Sequence, residues 1–93
     1  MSYKKVDKEM IDELYSLIAS VETAEDCKAL FEDLCTANEI EQMAQRVRAA
    51  KLLTAGKTYN QVTEETDISS ATLSRVSRCV HYGSGYRKFL TKS

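Results

Sequence analysis

Not one proline occurs in the 93 residues, and there are only three glycines. Proline removes a backbone donor and ends helices, and glycine weakens them, so a chain almost free of both can carry uninterrupted helices. The same shortage of turn formers argues against an all-β chain. The expectation is an all-α fold in a single domain, 1–93. A lone chain of this length buries only about 60–65% of its unfolded surface, so a second subunit would complete a marginal core. Hydrophobic residues at 43% and charged residues at 29% are ordinary for a folded, soluble protein.

Several classes fall away. No apolar run approaches the ~20 residues that span a bilayer. The opening segment lacks the long apolar stretch of a secretory leader. Cys27, Cys35 and Cys79 are odd in number, show no C-x-x-C spacing and share the chain with one histidine, His81. Neither a zinc cage nor a cofactor is expected, and the thiols read as reduced cysteines of a cytoplasmic protein.

The net charge of −1 hides a division. Residues 1–45 carry four lysines against eleven acids, whereas residues 46–93 carry nine bases against three acids, Glu64, Glu65 and Asp67. A basic half suggests an anionic partner, with nucleic acid the common case. The alternative is that the acidic half neutralises the basic one within the fold.

Cap signals and apolar spacing place six helices. Asp7 caps the first, with Met10, Ile11, Leu14, Leu17 and Ile18 on one stripe up to about Ser20. Thr23 and Asp26 are spaced as a capping box for the second, whose apolar positions are Cys27, Leu30, Phe31 and Leu34. The short loop between these helices predicts a hairpin over 1–35, assigned to dimerisation. Thr36 and Glu39 form a better box for a central helix within 36–57, with Ile40, Met43, Val47, Ala50 and Leu53 on its stripe and Gly56 as its stop. Thr58 with Gln61 opens a short fourth helix to about Glu65, with Tyr59 and Val62 as its apolar contacts. Ser69 or Ser70 caps a fifth with a buried stripe of Leu73, Val76 and Val80. Gly83-Ser84-Gly85 breaks it. A last helix within 84–93, from Tyr86 to about Lys92, buries Phe89 and Leu90.

Residues 58–82 are thus two short helices about a polar turn, the form of a helix-turn-helix. Val62 braces the second helix and Ile68 anchors the turn. Ser69, Ser70, Ala71, Thr72 and Ser74 are small enough to let the second helix approach base edges, and hydroxyls and methyls can read them. Arg75 and Arg78 reach phosphate or a guanine edge. Thr58, Tyr59, Asn60 and Thr63 on the bracing helix, with Lys57 just before it and Arg48 on the central one, are assigned to backbone phosphates. The turn lacks the usual glycine; Asp67 is expected to take the left-handed conformation instead.

The segments LCTANEIEQMAQRVRAAKLLTAGKTYNQV and SSATLSRVSRCV resemble the Trp repressor superfamily, and the chain looks like its YerC/YecD-type branch. The carrying motifs are Arg46-Val47-Arg48 followed by a leucine pair and a glycine, and Ala71-Thr72-Leu73-Ser74-Arg75. Leu34 to Leu90 carry the likeness; the N-terminal hairpin matches in helical pattern only. The resemblance implies a six-helix intertwined homodimer whose two recognition helices enter successive major grooves of a palindromic operator.

It also implies an effector pocket. The family's ligand-holding positions fall on Thr36, Arg46, Thr72, Arg75, Val76 and Cys79, where Val76 replaces a glycine and Cys79 a serine. Valine's isopropyl group fills the room a glycine leaves beside an indole, and cysteine is a weaker donor than serine. Both changes argue against free tryptophan as the effector. Arg46 and Arg75 are left to receive a smaller carboxylate, or else pair with acids or phosphate.

Other residues carry bland readings. His81 is a surface or capping histidine, and Glu64 and Glu65 are adjacent on a helix and form no dyad. Cys79 is a structural cysteine, or a redox-sensitive thiol if Arg78 lowers its pKa. No enzyme is expected, since no catalytic constellation can be assembled. The reading is a sequence-specific duplex-DNA-binding regulator of transcription, acting as a repressor. The rival is a helical interaction module that docks a partner protein and uses the helix-turn-helix only as scaffold.

Overall fold

The computed structural model of the chain describes residues 6–90. Among these residues six helices follow one another: α1 (Lys8–Ala19), α2 (Ala24–Leu34), α3 (Ala37–Thr54), α4 (Tyr59–Thr66), α5 (Ser70–Tyr82) and α6 (Gly85–Leu90). No strand occurs among the described residues. The chain divides into two units, Met1–Thr36 with α1 and α2, and Ala37–Ser93 with α3 to α6.

The N-terminal unit follows its caps. Asp7 accepts the Met10 N–H at 2.9 Å, and Thr23 Oγ1 accepts the Asp26 N–H at 3.0 Å. Only that half of the expected box at Thr23 is present, because an aspartate is one methylene short of reaching back. The expected hairpin is not packed: α1 and α2 hardly touch. Met10, Ile11, Leu14 and Leu17 form the apolar stripe foreseen, yet all four are exposed, and neither helix buries a residue.

The C-terminal unit holds the core. Ala49, Ala50, Val62, Ile68, Leu73 and Val76 are buried, and Leu52, Leu53, Val80, Tyr86 and Leu90 pack against them. α3 is the platform on which α4, α5 and α6 all lie. Its two fully buried residues are alanines, and small side chains let helices come close. α3 ends where glycine was expected to stop it. Gly56 has φ +90°, the Lys57 N–H donates to Leu52 O and the Gly56 N–H to Leu53 O, both at 3.0 Å. This is the Schellman arrangement, and it needs a residue that tolerates positive φ.

Three expected core residues are exposed instead. Val47 belongs to the apolar stripe of α3 but lies at 42% exposure, Tyr59 at 49% and Phe89 at 69%. The helices of the C-terminal unit do not cover them. Val47, Tyr86, Phe89 and Leu90 line an apolar groove open to solvent. α6 begins at Gly85, one residue before the expected Tyr86; its expected end at about Lys92 lies outside the described residues.

Candidate nucleic-acid interface

α4, the turn Asp67–Ser69 and α5 form a helix-turn-helix braced on α3. α4 starts with a complete capping box: Thr58 Oγ1 accepts the Gln61 N–H at 3.2 Å, and Gln61 Oε1 accepts the Thr58 N–H at 2.9 Å. Asp67 takes φ 61°, the left-handed conformation expected in place of glycine. Ile68 is buried beneath the turn. Ser69 is the cap of α5; its Oγ accepts the Thr72 N–H at 3.2 Å and donates to Thr72 Oγ1 at 3.0 Å.

Two faces of α5 divide cleanly. Leu73, Val76 and Ser77 are buried, and Val80 is half-buried against the core. Ser70, Ala71, Ser74, Arg75 and Arg78 are exposed, at spacings that put them on one side of a helix. No acid occurs in α5. Arg75 and Arg78 make no ion pair with a described residue. The outer face is therefore small and polar near its start and cationic beyond, with its opposite side anchored.

On the bracing side, Lys57, Thr58, Tyr59 and Asn60 are exposed and Thr63 is half-buried. Some of these groups are already engaged within the fold. The Thr58 hydroxyl serves its cap, and Thr63 Oγ1 donates to Asn60 O at 3.0 Å. Arg48 lies 3.6 Å from Glu65 across α3 and α4, with both side chains exposed; so weak a pair leaves the guanidinium within reach of other anions.

The positions of the expected effector pocket are less alike. Val76 is 1% exposed and belongs to the core, so its side chain is used in packing α5 onto α3. Arg46, Thr72 and Cys79 are half-buried and Arg75 is exposed, whereas Thr36 belongs to the N-terminal unit. Neither Arg46 nor Arg75 pairs with a described acid.

His81 is a helix-end residue, as expected. Its Nδ1 lies 2.8 Å from Ser77 O, and since a carbonyl only accepts, Nδ1 carries the proton. Arg87 Nη1 donates to His81 O at 3.5 Å, which places a cation at the negative end of α5.

Two residues of this region escaped the sequence reading. Gln45 Nε2 donates to Thr66 O at 3.2 Å, and the buried Thr66 Oγ1 donates to Val62 O at 2.7 Å while accepting the Ile68 N–H at 3.3 Å. Thr66 had a local signal: a threonine four residues after an apolar helical position can bond back to its carbonyl. Gln45 had none, because its partner is 21 residues away.

Comparison with known proteins agrees with this architecture. The family model of the Trp repressor protein matches residues 9–93. The chain is 43% identical over 83 residues to the uncharacterized protein YerC of Bacillus subtilis, covering 89% of this chain and 80% of that protein. A Staphylococcus aureus protein, solved and assigned provisionally to the Trp repressors, is similar at 39% identity and TM-score 0.84, over 90% of this chain and 85% of that one. A TrpR-like protein from Eubacterium eligens is similar at 38% identity and TM-score 0.82, over 87% of this chain and 84% of that one. The sequence, the six helices and the helix-turn-helix braced on α3 all carry the same assignment: the chain belongs to the Trp repressor family.

Proposed function

We propose that the protein is a homodimeric, sequence-specific duplex-DNA-binding regulator of transcription that acts as a repressor. The observation that carries this reading is the divided α5. Its exposed side presents Ser70, Ala71, Ser74, Arg75 and Arg78 without an acid, and its other side is locked into the core by Leu73 and Val76. Small residues let a helix enter the major groove, hydroxyls and methyls distinguish base edges, and the arginines supply phosphate or guanine contacts. Lys57, Tyr59 and Asn60 at the start of α4 add contacts to the sugar–phosphate backbone. Ser69, Thr58, Thr63 and Thr72 support the interface as caps and fillers, and they contact DNA through whatever hydrogen-bonding capacity their internal bonds leave.

Dimerisation is supported by the apolar surface that one chain leaves uncovered: the stripe of Met10, Ile11, Leu14 and Leu17, and the groove of Val47, Tyr86, Phe89 and Leu90. On this reading residues 1–35 serve dimerisation, 36–57 supply the central helix and 58–82 read DNA. Free tryptophan is not the effector, because Val76 fills the place where the family has glycine. Arg75, exposed on α5, serves phosphate or a guanine edge, and Arg46 is left to phosphate or an acid, or to a smaller carboxylate.

Selection of random duplex DNA by the purified protein tests the proposal. A two-fold symmetric motif with half-sites about one helical turn apart is expected. Absence of enrichment at low salt, with and without added cell metabolites, would sink it.

A further inference from the structure

α4 is only eight residues long, so its end carbonyls weigh heavily in its stability. Thr63 O is met by the Asp67 N–H at 2.9 Å. Thr66 O is met by Gln45 Nε2, reaching over from α3 in a partly buried bond of 3.2 Å. The Thr66 hydroxyl then receives the Ile68 N–H, and the next residue, Ser69, caps α5. Polar contacts therefore lead from α3 to the end of α4 and on to Ile68 in the turn, one residue before the cap of α5. The other polar tie between α3 and α4, Arg48 to Glu65, is exposed on both sides, and such pairs contribute little.

The geometry points to Gln45 as a specificity-determining positioning residue, which fixes the seat of the α5 N-terminus on α3. This role rests on the DNA-reading function proposed above. Hydrogen bonds to base edges work only within a few tenths of an ångström of ideal. Phosphate attraction is long-ranged and tolerates a small tilt. Loss of the Gln45 tie thus removes discrimination between sequences more than adherence to DNA.

Gln45→Met keeps the length of the side chain and removes the donor. Gln45→Lys puts a donor back on an unbranched stem. Both full-length variants and the wild type are titrated with the selected operator and with a scrambled duplex of equal length, and the exchange rate of the Ile68 amide is followed alongside. For Gln45→Met we expect operator affinity to fall about tenfold. Scrambled-duplex affinity should stay within about twofold, with an unchanged helical spectrum and faster exchange at Ile68. Gln45→Lys should recover the operator-to-scrambled ratio, a quotient that cancels the added charge. An equal loss on both duplexes, or an unchanged ratio in Gln45→Met, would overturn the role while leaving the DNA reading intact. A wild type that prefers no sequence removes both, and that failure is visible before any variant is made.

Discussion

At the scale of single residues, Gly83 and Gly85 make opposite demands on the same substitution. A Cβ at Gly83 would stand 2.7 Å from Cys79 O, a backbone atom of the helix that Gly83 terminates. No flexible side chain can yield there. Gly83→Ala should lower the free energy of unfolding by about 1–3 kcal/mol. At Gly85, the first residue of α6, a Cβ meets nothing within 4 Å. Gly85→Ala should therefore raise stability by about 0.4–1 kcal/mol through the unfolded state alone. Urea titration of the two variants measures the contrast; equal midpoints would mean that the close approach at Gly83 is not felt. Much at this scale was legible beforehand. Asp67 was expected in the left-handed conformation because the turn had no glycine, and Gly56 was expected to close α3. The steric need at Gly83 was not legible, since its φ is ordinary and only the nearby carbonyl excludes a side chain.

At the scale of elements, cap chemistry located the helix starts well, because a cap is a local bargain between a side chain and amides two or three residues on. Thr58→Ala should accordingly cost about 1 kcal/mol, read as a drop in the urea midpoint, since it opens the box at the start of α4. The faces of the helices were less legible. Periodicity marks the apolar side of a helix but says nothing about what covers it, which is why Val47, Tyr59 and Phe89 were expected inside and lie outside. The tie of Gln45 to Thr66 was hidden for the complementary reason, that long-range polar contacts leave no local pattern. α5 and the segment before α4 divide the expected labour in binding. Ala71→Leu should change which sequences are selected, whereas Lys57→Ala should weaken binding to every duplex alike and reduce the salt slope by about one. Titrations on operator and scrambled DNA at several salt concentrations separate the two. A Lys57→Ala variant with altered sequence preference would overturn the assignment.

At the scale of the whole molecule, the uneven distribution of burial is the dominant fact. Every fully buried side chain among the described residues lies in the C-terminal unit, and none lies in α1 or α2. A chain of 10.5 kDa with an apolar stripe left open is expected to sediment at twice that mass. Leu14→Glu, placed in the stripe, should shift the population toward monomer while leaving most of the helical signal of α3 to α6 in place. Unchanged sedimentation would remove α1 from the dimer contact. Added tryptophan should leave operator affinity within about twofold, and a larger gain would reinstate it as the effector despite Val76. The fold class and the charge division were readable from the missing proline and the count of acids and bases. The emptiness of the N-terminal unit's own core was not, because an amphipathic helix looks the same whether its partner is in its own chain or in another.

The uncovered α1 also bears on how long the protein lasts. A helix that buries nothing opens readily, and an open backbone is what a protease cuts. When chains are scarce, residues of α1 and α2 should be clipped quickly; when chains are abundant, association should shield them. Survival would then rise with concentration, so the stripe proposed to join two chains would set a threshold of synthesis below which the protein does not accumulate. Limited digestion at a series of protein concentrations, followed by mass spectrometry, gives the clipping rate directly, and that rate should fall as the chains pair.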